Sequence, residues 1–267
     1  MTEAVTGATN GTVRLEIDGA YAELVLDRPE KINAVNEAMV ADLHECLGRV
    51  EAGGTRALVV RGEGRGFCAG RDLADADPGN EDGEAVLNDL LNPVVERIAG
   101  LAVPTFAAVH GPALGAGLGF ALACDVVYVA DDARIGSPFA RIGAVLDSGA
   151  HDFLVRRIGA HRTLELVYTG RMLSGREAAE WGIVNRSVGR LDLLPRVRAM
   201  ARAVAEGPTA AFLASKRLVR RVADEGLALA DVLRAEAAAQ GAASRTNDYQ
   251  AGIAAFQEKR TPRFTGT

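Results

Sequence analysis

Two glycine-rich segments hold the residues of this chain whose arrangement best suits chemistry. The first, at residues 66 to 73, follows an apolar run at 57 to 60, and the second, at 110 to 119, follows another at 106 to 109. Glycine lets the backbone adopt positive φ angles and lets a ligand approach the main chain closely. Two such turns side by side could direct two peptide N–H groups at one point, an arrangement that holds the oxyanion of an activated carbonyl compound.

A carboxylate that could act on such a compound is Asp147, in the segment Val-Leu-Asp-Ser-Gly at 145 to 149. A general base must be a titratable group close to the proton that it removes. A second interpretation is structural, because Ser148 and Gly149 could open a helix and aspartate is a favoured N-cap. The residues alone leave both interpretations open.

Four further side chains are weaker candidates. We expect Cys68 to be a buried thiol that packs as a small apolar group, and His110, beside the second turn, to bond the backbone. His151 lies four residues after Asp147 and could share its helix face in a supporting role. Arg141 could contact a ligand or simply be solvated.

The elements that must position these groups alternate between strand and helix up to about residue 145. Alternating segments at 13 to 18 and 21 to 27 meet at Asp18-Gly19 and predict a hairpin. Asn36 is the predicted N-cap of an amphipathic helix. The remaining predicted elements are buried strands at 57 to 60, 106 to 109 and 126 to 129, and helices at 86 to 98 and 115 to 124. This alternation predicts a layered α/β core built from βαβ units.

Beyond residue 145 the pattern is mostly helical. Ser174 and Glu177 have the spacing of a capping box, and two long amphipathic helices are predicted at 210 to 222 and 227 to 239. We therefore predict a disordered N-terminus at 1 to 10, an α/β core at 11 to 200 and a helical C-terminal region at 201 to 267.

Composition narrows the function classes. The chain has 267 residues, of which 48% are hydrophobic, and a net charge of −5, which argues against nonspecific nucleic-acid binding. Its three cysteines, Cys46, Cys68 and Cys124, are widely spaced and odd in number, so we expect neither a disulfide framework nor a metal site. We expect no membrane association, because no uncharged apolar run approaches about 20 residues. The N-terminus resembles no signal peptide, which predicts a cytoplasmic protein.

Several segments, in order and at matching spacing, resemble the crotonase superfamily, the enoyl-CoA hydratase and isomerase fold. The resemblance extends from about residue 13 to 264, and the segments that carry it most clearly lie at 27 to 36, 66 to 73, 111 to 117 and 255 to 260. It implies a spiral of ββα units with a helical C-terminal trimerisation region. It also implies a homotrimer or a dimer of trimers, a coenzyme A thioester as substrate, and no metal or other cofactor.

The resemblance also implies roles for particular residues. The oxyanion donors would be the backbone N–H groups of Arg71 and Ala116. Contacts to coenzyme A would come from Lys31, Ala34, Ala69, Gly70, Asp72 and Leu73, and from Phe256 and Lys259 of a neighbouring subunit.

The chain departs from the hydratase pattern at two positions. A hydratase of this family is expected to carry one glutamate two residues beyond Gly117 and another after Pro138, where this sequence has Gly119 and Phe139. Neither residue can activate a water molecule. The sequence therefore argues against an efficient enoyl-CoA hydratase.

What remains is Asp147, and residues 139 to 149 resemble the ring-epoxide isomerases of phenylacetate degradation. We predict a coenzyme A thioester isomerase in which Asp147 shuttles a proton. Apolar neighbours, predicted as Leu118, Phe139, Val145 and Leu146, would raise its pKa by desolvation. The alternatives are a hydratase-like lyase or hydrolase with Asp147 activating water, a dehalogenase-like enzyme with Asp147 as nucleophile, and a catalytically inactive subunit that binds coenzyme A.

Overall fold

The computed structural model describes residues 5–74, 76–77 and 79–267. Its strands are β1 (Val5–Gly7), β2 (Val13–Asp18), β3 (Tyr21–Leu26), β4 (Ala57–Gly62), β5 (Thr105–Val109), β6 (Pro112–Leu114), β7 (Val126–Ala130), β8 (Arg134–Gly136), β9 (Leu173–Ser174) and β10 (Arg186–Val188). Its helices are α1 (Glu37–Ala52), α2 (Gly83–Ala85), α3 (Asn92–Gly100), α4 (Ala116–Ala123), α5 (Ala150–Thr169), α6 (Gly175–Glu180), α7 (Arg190–Ala205), α8 (Thr209–Glu225), α9 (Leu229–Ala243) and α10 (Asn247–Gln257).

The strands form two sheets that meet at the glycine turns. The larger has the order β1-β2-β3-β4-β5-β7-β10 and is parallel from β3 onward, and the smaller has the order β6-β8-β9. The chain passes from β5 to β6 at Gly111, whose φ is +54°. A Cβ there would lie 2.3 Å from the Arg65 carbonyl oxygen. The first turn is therefore packed directly against the start of the second sheet.

The larger sheet is covered by helices. α1 packs on β2 and β3, and α7 packs on β3, β4, β5 and β7. Every residue of β3 is buried, as in a strand covered on both faces. The core is apolar except for a few groups such as Glu23, which we consider below.

Most local predictions are confirmed. β2 and β3 pair as an antiparallel hairpin. The Asn36 side chain accepts a hydrogen bond from the Met39 N–H at 3.0 Å. Ser174 and Glu177 form both halves of a capping box at α6. The predicted helix at 86 to 98 exists in two parts, a π-helical turn at Val86–Leu91 followed by α3.

The structure differs from the prediction at the N-terminus. Residues 1 to 10 were expected to be disordered, but β1 pairs antiparallel with β2, with Val5 opposite Glu16. The reason is that the outer side of β2 would otherwise expose unpaired backbone groups. Residues 1 to 4 lie outside the described part of the chain.

The C-terminal region is helical, as predicted. Gly226, with φ +58°, separates α8 from α9, and neither helix has a fully buried residue. Several large apolar side chains of this region are exposed: Val219, Leu229, Leu233, Ile253 and Phe256. Among the described residues, we find no helix with the length and apolar character that a membrane span needs.

Candidate active site

The two glycine turns lie against each other. The Cys68 N–H donates to the Pro112 carbonyl at 3.0 Å, and the Leu114 N–H donates to the Cys68 carbonyl at 2.9 Å. Gly70 has φ +93°, and a Cβ there would lie 2.9 Å from the Leu114 carbonyl oxygen and 3.8 Å from the Ala116 nitrogen. Only glycine allows this approach.

Two main-chain N–H groups at this contact are available to a ligand. The neighbours of Arg71 are engaged with Val35, because the Val35 N–H donates to Gly70 and the Asp72 N–H donates to Val35, both at 2.8 Å. The N–H groups of Arg71 and Ala116 have no acceptor among the residues that the structure describes. Ala116 is the first residue of α4, where the helix dipole also favours negative charge.

The Asn33 side chain holds the first glycine turn in place through buried hydrogen bonds. It is fully buried with φ +54°, and its side-chain amide donates to the carbonyls of Gly66 and Phe67 at 2.9 and 3.0 Å. The Arg28 N–H donates to the Asn33 Oδ1 at 2.8 Å. Sequence reasoning assigned Asn33 no role, although asparagine is one of the few residues that tolerates this backbone conformation.

Asp147 is half-buried, and the Ser148 hydroxyl donates to it at 2.9 Å. Burial raises the pKa of Asp147, whereas the Ser148 hydroxyl and the charges of His151 and Arg71 oppose this rise. The alternative N-cap interpretation is wrong, because α5 begins at Ala150 with Gly149 as its N-cap.

Gly119 brings the turn that carries Asp147 onto α4. A Cβ at Gly119 would lie 2.4 Å from the Ser148 carbonyl oxygen and 2.7 Å from the Ser148 Cβ. Real Cβ atoms do not approach other atoms so closely. There is consequently no space for a glutamate at this position while Asp147 keeps its place.

A small apolar pocket lies beside Gly115, whose N–H donates to the carbonyl of Gly136 in the pocket wall. It is lined by Leu118, Ile135, Phe139, Leu146, Leu154 and Leu166, among others. The Phe139 ring reaches the second glycine turn, since a Cβ at Gly115 would lie 3.0 Å from its Cζ. The predicted contribution of Val145 is wrong, because this residue is 76% exposed and does not line the pocket.

An ion pair that sequence reasoning missed ties the first turn to the next segment. The Arg71 guanidinium donates to both carboxylate oxygens of Glu81, at 2.6 and 2.5 Å. These residues are ten positions apart in a segment without periodicity, so no sequence signal pointed to the pair.

The nearby residues predicted to contact coenzyme A are clustered. The Ala69 N–H donates to the Ile32 carbonyl at 2.9 Å, which joins the segment of Lys31 and Ala34 to that of Gly70 and Asp72. Lys31 is exposed, Leu73 is 53% exposed and Ala34 is buried. Asp72 pairs with Arg28 at 3.0 Å. Phe256 and Lys259, at the end of α10, are both exposed, and their assignment to a neighbouring subunit's site remains a prediction.

Two of the weaker candidates occupy structural positions. Cys68 is fully buried, which raises the pKa of its thiol to about 12 and leaves it unreactive. The His110 Nε2 lies 2.9 Å from the Gly64 carbonyl oxygen, so the predicted backbone bond is confirmed. Arg141 is exposed in the Pro138–Arg141 turn.

Two free main-chain amides, an apolar pocket and a half-buried carboxylate make this a candidate site for activating a carbonyl group. The sequence profile of the enoyl-CoA hydratase/isomerase family matches residues 16 to 267. The chain belongs to this family.

Similar proteins and similar solved structures support the same family. The chain is 38% identical over 257 residues to a Rhodobacter capsulatus protein named a probable enoyl-CoA hydratase, covering 96% of this chain and 98% of the relative. It is also 38% identical to the 1,2-epoxyphenylacetyl-CoA isomerase of Escherichia coli, covering 94% and 97%. A crystal structure of an enoyl-CoA hydratase from Bacillus anthracis superposes with a TM-score of 0.88 at 28% identity, covering 96% and 100%. The predicted crotonase fold is confirmed.

Proposed function

We propose that this protein is an isomerase of coenzyme A thioesters that carry unsaturated or ring-derived acyl groups. The observation that carries the proposal is the contact of Gly119 with Ser148. It removes the space for a hydratase glutamate and brings a turn bearing one half-buried carboxylate, Asp147, against α4.

The proposed reaction begins with polarisation of the thioester carbonyl. Its oxygen accepts hydrogen bonds from the N–H groups of Arg71 and Ala116, which stabilise the enolate that forms when a proton leaves the acyl chain. The carboxylate of Asp147 takes this proton, the double bond shifts, and Asp147 returns the proton to another carbon. No proton, water or electron is consumed overall, so the reaction needs no further cofactor.

The raised pKa of Asp147 suits this role. A base is most effective when its pKa approaches the working pH, and burial moves the pKa of Asp147 in that direction. The small apolar pocket lined by Leu118, Phe139 and Leu146 includes the residue directly before Asp147, and in this proposal it marks the apolar end of the acyl site. In this proposal the cluster around Lys31, Ala34 and residues 69 to 73 holds coenzyme A.

The Escherichia coli relative supports an isomerase, since its name is that of a ring-epoxide isomerase. A second candidate is a hydratase-like lyase in which Asp147 activates water, because the Rhodobacter capsulatus and Bacillus anthracis proteins are named hydratases. Crotonyl-CoA separates the two candidates. A hydratase would bleach its conjugated absorbance rapidly, whereas the proposed isomerase would leave it nearly unchanged.

The direct experiment is a panel of acyl-CoA thioesters in deuterated water with wild-type protein and D147N. We expect the wild type to exchange acyl-chain hydrogen and shift the double bond, and D147N to lose about 10²- to 10⁴-fold in rate, the usual contribution of a positioned base. D152N is the matched control, because Asp152 is an exposed aspartate on α5 that pairs with Arg156. A D147N variant that isomerises at the wild-type rate would refute the proposal, and absence of exchange with every thioester would favour an inactive binding subunit.

A further inference from the structure

The ion pair between Arg71 and Glu81 connects the first glycine turn, at residues 66 to 73, to a segment that has no part in the proposed chemistry. The Arg71 Nη1 donates to the Glu81 Oε1 and the Nη2 donates to the Oε2, a bidentate geometry that fixes orientation as well as distance. Each side chain is 25% exposed, and the pair lies at the surface of the molecule.

The backbone on both sides of Glu81 is held in place. Asp77 organises the preceding turn, because its carbonyl accepts from the N–H groups of Asn80 and Glu81 at 3.1 and 2.9 Å. The Asp77 side chain also accepts from the Gly79 N–H at 3.2 Å. Asp82 caps α2 by accepting from Glu84 and Ala85. These bonds hold the backbone at Glu81, and its side chain bonds Arg71 from there.

Arg71 is fixed equally well at its backbone. The bridge to Val35 holds residues 70 to 72 in place, so only the side chain is free to choose a partner. Two carboxylates are within reach of its charge. Glu81 forms the direct pair. Asp147 lies on the turn that packs on α4 at Gly119, and the first residue of α4, Ala116, is close to Gly70.

The charged groups that act on Asp147 are few. Within the described chain they are Arg71 from the first turn and His151 from α5. The facing part of α4 contributes Gly119, which has no side chain. The Ser148 hydroxyl completes the polar surroundings. Arg71 is therefore the permanent cation that could pair with the proposed base and weaken it.

We propose that Glu81 is a positioning residue that holds the Arg71 guanidinium away from Asp147, so that Asp147 remains available as the base. The inference rests on the proposed function, since it assigns Glu81 a purpose only if Asp147 accepts protons. It accounts for a bidentate pair placed beside the two free amides, where Arg71 is needed for its backbone N–H alone.

The carboxylates of Glu81 and Asp147 compete for the Arg71 guanidinium. Without the Glu81 carboxylate, the Arg71 guanidinium is left unpaired and is free to turn toward Asp147, whose turn packs on α4. An arginine within about 4 to 6 Å of an aspartate lowers the aspartate pKa by about 1 to 3. A base weakened in this way remains ionised at lower pH but removes a proton more slowly near neutrality.

The test is the acid limb of the pH profile of kcat/KM in E81Q. We expect its apparent pKa to fall by about 1 or more relative to wild type. E84Q is the matched control, because it removes an acidic group from the same segment without touching Arg71, and it should leave the limb in place. R71Q/E81Q removes both partners and should return the limb to the wild-type position or above it.

A second readout separates this inference from the proposed function. Protein labelled with ¹³C at aspartate carboxyl carbons, with the Asp147 signal assigned by its absence in D147N, reports the Asp147 pKa whether or not the enzyme turns over. A lower Asp147 pKa in E81Q, restored in R71Q/E81Q, supports the part of the inference in which Glu81 holds Arg71 away from Asp147, and D147N decides separately whether Asp147 is the base. An unchanged Asp147 titration in E81Q, or an equal change in E84Q, overturns it.

Discussion

At the scale of single residues, the strength of Asp147 as a base depends on a balance between burial and three polar neighbours. Burial raises its pKa, and the Ser148 hydroxyl, His151 and Arg71 lower it. The rate of a reaction that needs the ionised carboxylate therefore falls as the pH drops through this raised pKa. The acid limb of kcat/KM should lie above the value of about 3.9 for an ordinary aspartate.

Ser148 offers the sharpest test of this balance. Its hydroxyl donates to the ionised carboxylate at 2.9 Å, so S148A should raise the pKa of Asp147 by about 1, the equivalent of one hydrogen bond to a charged group. The measurement is the pH dependence of kcat/KM. Ser148 has φ +55°, so S148G serves as the control that removes the hydroxyl without backbone strain. Unequal movement of the acid limb in the two variants would attribute the effect to strain.

Some residues around the candidate site could be predicted from the sequence and others could not. Arg71, Ala116 and Asp147 could be selected because each belongs to a segment with a distinctive order of residues. Glu81 could not, since its role arises only when a loop folds back onto Arg71. Val145 was misplaced because apolar character alone does not tell which side of a turn faces the pocket.

At the scale of elements, the decisive contact joins α4 to the turn before α5. The effect of G119E follows from the geometry of this contact. The Cβ of the new side chain would lie 2.4 Å from the Ser148 carbonyl oxygen. Overpacking of this kind costs about 1 to 3 kcal/mol, and a second carboxylate beside Asp147 adds repulsion. We expect G119E to unfold at lower urea concentration and to gain no hydratase activity on crotonyl-CoA.

The matched variant for that experiment is F139E, at the other position where a hydratase glutamate is expected. Phe139 is only half-buried, so F139E should be less destabilised than G119E. The combined variant G119E/F139E carries both expected glutamates and should still lack efficient hydration, because the turn at 147 to 149 occupies the space. Efficient hydration by the double variant would show that the turn moves aside at little cost.

Elements were predicted well wherever a local signal defines them. The Asp18-Gly19 hairpin, the Asn36 cap and the Ser174 capping box each depend on neighbours within a few residues, and each is confirmed. The π-helical turn at Val86–Leu91 could not be foreseen, since over six residues its apolar spacing is hard to distinguish from that of an α-helix. β1 was missed because its pairing depends on the exposed edge of β2, not on its own sequence.

At the scale of the whole molecule, a buried ionic network joins the larger sheet to α7. Glu23 of β3 accepts from Arg61 of β4 at 2.6 Å and from Arg198 of α7 at 2.6 and 2.9 Å. The Tyr21 hydroxyl donates to Glu23 at 2.5 Å. Burial opposes ionisation of Glu23, but these hydrogen bonds outweigh it and lower its pKa to about 2.

The network predicts an acid-dependent part of the folding free energy. Because the pKa of Glu23 is lower in the folded chain than the usual 4.5, its contribution is complete above about pH 4.5 and is lost as the pH falls toward about 2. E23Q should cost about 3 kcal/mol near neutral pH, the lower end for a broken buried pair, since Arg198 is partly exposed. Urea unfolding across this pH range measures both effects.

D18N, which breaks the exposed Asp18–Arg202 pair, is the control and should cost less than about 1 kcal/mol. An equal loss of stability in E23Q and D18N would contradict the assignment.

The predicted sharing of a site between subunits can be tested by mixing variants. Phe256 is 84% exposed on α10, and an aromatic side chain so exposed is suited to a ligand or a neighbouring chain. If Phe256 and Lys259 complete the coenzyme A site of a neighbour, F256A should raise KM while leaving Asp147 intact, and D147N should be inactive with Phe256 intact. Coexpression of the two variants would then create sites that combine Asp147 of one chain with Phe256 of the other, and a fraction of the activity should return at the wild-type KM.

In the control mixture R234Q replaces F256A, because R234Q alters an exposed ion pair on α9. This mixture should behave as wild type diluted by D147N. A mixture in which every active site keeps the raised KM of F256A would place Phe256 in the site of its own chain.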